Sequence, residues 1–139
     1  MSIRRLFTVA VFAFAFNMLS GLVSAHHAAA GYDRNPDKVR QLEGVVVEWR
    51  WRNPHVVLVW DVTDAKGKVV RWSGELASPT SMIARGKMAR NSLKAGDRVL
   101  VYAFTASRGT PQSIPVRIVK DGKILLNDNV RGSGMVFEK

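Results

Sequence analysis

The residues of this chain best suited to chemistry are its three histidines, two adjacent in Val23-Ser24-Ala25-His26-His27 and the third at His55. Val23 and Ala25 are the small residues that a signal peptidase reads before its cut, so cleavage after Ala25 makes His26 the first residue of a mature chain. Such a residue carries an α-amine with a pKa of about 8 beside an imidazole of about 6.5. Both nitrogens lose their protons at modest cost and close one chelate ring on a metal ion. His27 adds an imidazole or a backbone amide, and His55, behind the turn at Asn53-Pro54, adds a third nitrogen. A tetragonal set of nitrogens suits Cu(II), with Ni(II) next and Zn(II) possible. Copper at His26, His27 and His55 is therefore the expected cofactor site, weighed against histidines that merely follow a leader cut or cap a turn.

The first of the elements that must position these residues is the leader. Arg4 and Arg5 begin a basic segment, an apolar run covers residues 6–16, and a more polar stretch covers 17–25. Asn17, Ser20 and Gly21 interrupt the apolar run where a permanent anchor would stay apolar, so residues 1–25 read as a removable signal peptide and the product as periplasmic or secreted, with no stable membrane anchor after cleavage. The whole chain has a formal charge of +10. Its 21 basic residues less Arg4 and Arg5 leave 19 against 11 acidic ones, or +8. With no cysteine, the mature chain has neither a disulfide nor a lipidated cysteine, and its stability must come from a core. A basic exported domain meets anionic surfaces or other exported proteins before it meets nucleic acid, so a partner of that kind is expected and nucleic acid is disfavoured.

Residues 26–40 read as an arm with turn formers around Gly31 and Pro36. From there the period becomes two. Over residues 42–52, Val45, Val47, Trp49 and Trp51 fall on one face, and Gly44, Val46, Glu48, Arg50 and Arg52 on the other. A second strand covers 55–63, with Val56, Leu58, Trp60 and Val62 opposite His55, Val57, Val59 and Asp61, and a turn at 64–68 leads to a third at 69–76. Ser78-Pro79 is an N-cap with proline at the first helical position, opening a short helix that stops near Gly86. Further strands follow at 98–105, 114–120 and, more briefly, 123–126, with a loosely held tail at 127–139. Three meandering strands, one short helix and two or three closing strands make an all-β domain, a five- to six-stranded OB-like Greek-key barrel over residues 41–126. An immunoglobulin-like sandwich would want about seven strands and has no place for the helix.

Several of these elements together resemble one family. The His26-His27 pair, the Trp51-to-His55 element Trp-x-Asn-Pro-His, the third strand running into Ala77-Ser78-Pro79, and the turn Ser92-Leu93-Lys94-x-Gly96-Asp97 look like the DUF6152 group of small exported bacterial proteins of unknown function. The resemblance implies export and a small barrel-like domain, and supplies no activity, substrate or cofactor. Where the family pattern places a serine and an aromatic after the double histidine, this chain has Ala28-Ala29-Ala30, so no fixed pocket beside the pair is implied.

A second binding surface competes with the histidines. Trp49, Trp51, Trp60 and Trp72 lie on three consecutive strands with Arg50, Arg52 and Arg71 interleaved, and aromatics on the first strands of an OB barrel can stack bases or sugars. This would make a face for an anionic polymer or peptide. The alternation instead groups most of these rings with Val56, Leu58 and Val70, which favours core. Enzyme signatures are missing: there is no nucleophile elbow, no His-Glu-x-x-His and no phosphate-cradling glycine loop. Glu43, Glu48, Asp61 and Glu75 are strand carboxylates expected on solvated faces or in salt bridges. The expectation is a non-enzymatic ligand- or partner-binding barrel.

Overall fold

A computed structural model describes residues 31–84 and 88–128. The leader, His26 and His27, the end of the short helix near Gly86 and the tail beyond residue 128 lie outside the described residues. After a 3-10 turn (Pro36–Lys38) come β1 (Arg40–Arg50), β2 (Val57–Thr63), β3 (Val69–Glu75), α1 (Pro79–Ala84), β4 (Arg98–Thr105), β5 (Gln112–Lys120) and β6 (Lys123–Asn127).

The strands lie in the order β3-β2-β1-β4-β5-β6, and a further pairing of β3 with β5 closes the first five into a barrel. That closing contact is parallel, Ser73 with Gln112 and Gly74 with Ser113, whereas every other strand pair is antiparallel. The circuit β1-β2-β3-β5-β4, with a helix between β3 and β4, is the OB-like topology, and β6 is a sixth strand added outside it. Closure pairs strand edges that would otherwise offer ladders to other chains.

The hairpin from β2 to β3 is fixed by its turn. Asp64 accepts hydrogen bonds from the backbone N–H groups of Lys66 and Lys68 at 2.8 and 2.9 Å, and Gly67 takes the positive φ of 78° that the turn requires. Ser78 caps α1 by accepting from the Ser81 N–H at 3.3 Å, and Pro79 occupies the first turn, where its missing N–H costs nothing.

Side chains of β1, β2, β3, β4 and β5 fill the interior around Trp60, which has no exposed surface and packs with its neighbour Trp72 at 6.4 Å between ring centroids. Two glycines allow close approach beside this indole, Gly44 to the Asp61 backbone carbonyl as well as the ring, and Gly74 to Pro115 as well as the ring. A Cβ at Gly44 would stand 2.8 Å from Trp60 Cδ1, and one at Gly74 would stand 2.6 Å from Pro115 Cγ and 3.1 Å from Trp60 Cζ3. Both positions sit inside strands, where glycine is otherwise unfavourable, so close approach is the reason for them.

One expectation about β1 needs correction. Strict alternation put Val45 and Val47 on the face of Trp49 and Trp51. In the structure Leu42 and Val46 are buried and Val45 is 38% exposed, while Trp51, further along, is buried and Trp49 packs against the same core. The cause is a β-bulge: Val46 pairs with Trp60 but Glu48 pairs with Val59, leaving Val47 as an extra residue that reverses the phase of the strand.

Candidate functional site

His55 lies in the connection between β1 and β2, just ahead of a buried anchor. Val56 has no exposed surface, and its N–H and C=O are bonded to the C=O of Ala77 and the N–H of Leu76 at 3.1 and 2.9 Å. The β2–β3 ladder therefore continues past the assigned ends of both strands, and it sets which side chains meet. Val57 pairs with Glu75, so His55, two residues earlier, is the diagonal neighbour of Glu75 on the outer face. The His55 Nδ1 contacts the Glu75 Oε1, with the two side chains 49% and 44% exposed. Further along the same face Asp61 lies opposite Arg71 and receives two hydrogen bonds from its guanidinium, at 2.8 and 2.9 Å. That bidentate bond holds the Asp61 carboxyl below the usual carboxylate range.

Tyr32 lies at the start of the described chain. Its backbone bridges to Ala106, and the Ser107 N–H donates to the Gly31 carbonyl at 2.9 Å, so the start of the described chain is stitched to the β4–β5 connection. Partial burial, and then the negative charge of Glu75, push the Tyr32 phenol above its ordinary pKa. Beside it, an open cleft of about 380 Å³ lies between the arm and the β4–β5 connection, with Asp33, Asp37, Lys38, Arg40, Thr105 and Ser107 in its walls.

Glu75 and Tyr32 were not recognised as site residues in the sequence. Glu75 was legible in principle: once the turn at 64–68 pairs Thr63 with Val69, the register carries His55 to the diagonal of Glu75. Nothing in the spacing of Tyr32 announces its contact with Ala106. Among the described residues no three His, Asp or Glu side chains cluster closely enough to hold a metal ion, so His55 and Glu75 alone do not close a coordination shell.

The tryptophans and arginines are distributed differently. Trp51, Trp60 and Trp72 are buried in the core, and Trp49, partly buried, stacks obliquely on Trp51 at 5.7 Å and donates its Nε1 proton to the Ala89 carbonyl at 3.2 Å. Arg50 is engaged by Glu48 and Arg71 by Asp61, while Arg52 is exposed. A cation covers the edge of this core at Arg40, whose guanidinium sits 5.6 Å from the Trp72 ring. Three of the four indoles are thus buried, while Arg52 and Arg71 are exposed.

Fold and site together describe an OB-like barrel with a half-exposed imidazole–carboxylate pair at the end of the β2–β3 ladder and a chain start bridged to the β4–β5 connection. The chain belongs to a family of unknown function, DUF6152, whose model matches residues 15–114, a span that includes His26, His27, Tyr32, His55 and Glu75. No curated protein matches it.

Proposed function

We propose that this chain is an exported, non-enzymatic binding barrel, periplasmic or secreted after loss of residues 1–25, and that its ligand is a copper ion. The α-amine and imidazole of His26 would form the chelate, with His55 as a further nitrogen donor and His27 able to add another. Such a nitrogen-rich set favours Cu(II) among the divalent ions an exported protein meets.

One observation supports this reading above others: His55, the described member of the proposed donor set, stands half exposed on the outer face of the barrel, outside the packed core. The competing polymer face has weaker support, because Arg50 and Arg71 are already paired and three of the four indoles are buried.

The test is a Cu(II) titration of the chain beginning at His26 against the same chain with one glycine added before it. The added residue removes the amine from the chelate, and affinity is expected to fall at least about tenfold, or about 1.4 kcal/mol. Equal affinity for both forms refutes the site.

A further inference from the structure

We propose that the outer face of β4, β5 and β6, with the start of β1, is a docking surface for a second copy of this chain, in a weak two-fold dimer. The inference is independent of the copper reading and uses described residues only.

The strand registers build one row across four strands. Glu43 lies opposite Leu100, Leu100 opposite Val119, and Val119 opposite Ile124. Val99, Val101 and Ile118, their neighbours along the strands, are buried in the core, so alternation turns Leu100 and Val119 outward, and residues directly opposite share a face. The three apolar members of the row are partly exposed, and Val45, diagonal to Leu100, is 38% exposed. Aliphatic side chains joined across consecutive strands in this way form a patch on the outside of the barrel, and a contiguous patch marks an interaction surface where scattered residues do not.

The charges around the row select its occupant. On the outer face of β1, β2 and β3, Glu48 engages Arg50 and Asp61 engages Arg71, so that face is neutralised within the chain. Here the two signs are kept apart. Glu43 ends the row on β1, and Lys123, next to Ile124, ends it on β6. Neither makes an ion pair among the described residues. A rotation of 180° about an axis in the contact plane and parallel to the strands lays the row on its own reverse. Leu100 then covers Val119 of the second copy, and Glu43 meets its Ile124 and Lys123, once at each end. A surface that is apolar in the middle and oppositely charged at its ends is complementary to itself under such an axis. An axis along the row would instead set Glu43 against Glu43, which like-charge repulsion disfavours. Four strands about 4.8 Å apart and three rows about 6.8 Å apart give about 400 Å² on each copy, against about 800 Å² in stable complexes, so the dimer is weak and reversible.

The experiment is sedimentation equilibrium of the chain beginning at His26, over a concentration series at low salt. The unsubstituted chain should show a monomer–dimer equilibrium, and Val119→Glu should abolish it. Glu43→Lys and Lys123→Glu should each weaken self-association at least about fivefold, because each sets like charges together at both ends. An equimolar mixture of these two variants should associate at least as tightly as the unsubstituted chain, since every end contact then joins opposite charges. Both substitutions lie at exposed positions, so circular dichroism should be the same throughout. A chain that is monomeric at every concentration, or a mixture that associates no better than either variant alone, overturns the proposal. A monomeric chain that binds phosphatidylglycerol vesicles through Leu100 and Val119 also overturns it, and assigns the face to a lipid surface.

Discussion

Two carboxylates of this barrel, Asp97 and Glu75, each meet a cationic or cation-forming side chain, yet the consequences differ. Asp97, just before β4, is 9% exposed. One of its oxygens accepts from both the Lys120 Nζ and the Lys94 N–H at 2.9 Å. Its backbone carbonyl accepts from the Val46 N–H at 2.8 Å, beside the β1 bulge. Burial alone would raise its pKa, but the bonds from Lys120 and Lys94, with their charges, hold it below the usual range. Every donor around Asp97 belongs to the fold, so the group is a seam. Glu75 also meets a cation-forming side chain, but the pair stands half in solvent at the end of a strand. The difference is whether a polar pair is enclosed by the fold or left open to solvent.

Substitutions can break or sharpen that contrast. The largest effect belongs to the interior. Trp60→Ala should remove about 3–5 kcal/mol of stability, measured by chemical denaturation, because the ring is fully buried. A loss under about 1 kcal/mol would mean that the interior is not packed around it. Next come the neighbours Gly74 and Glu75. Gly74→Ala drives a Cβ towards Pro115 and Trp60 and should cost about 1–3 kcal/mol, whereas Glu75→Ala, one residue along, should stay within about 0.5 kcal/mol. If both cost the same, the division into inner and outer faces fails.

Asp97→Asn should destabilise by about 1.5–3 kcal/mol at neutral pH, the value of hydrogen bonds to a charged group. Because the folded carboxyl titrates below its unfolded value of about 3.9, its contribution is complete above that pH and is lost as pH falls through the folded pKa. The stability gap between the two proteins should therefore close on acidification below about pH 4, and a gap that stays constant would contradict the assignment. The smallest stability effect is at His55. His55→Ala should shift the melting temperature by no more than a surface change does, within about 0.5 kcal/mol.

The barrel was legible because its strands obey a clean period of two and its turns carry their own chemistry, as Asp64 and Gly67 do. The phase of β1 was not, since Val45, Val46 and Val47 are apolar on both faces and the alternation cannot say where an extra residue sits. The place of His55 just behind a proline turn was legible from the sequence. Its partner required the hairpin register, and the stitch at Tyr32 required contacts between segments about seventy residues apart, which no local pattern encodes.

The most direct test of the central claim is a Cu(II) titration of the chain beginning at His26 against its His55→Ala variant. The account predicts one tight equivalent for the first and an affinity lower by about tenfold or more for the second, with both equally folded. The same affinity in both would remove the barrel from the site and leave only a histidine at a chain end.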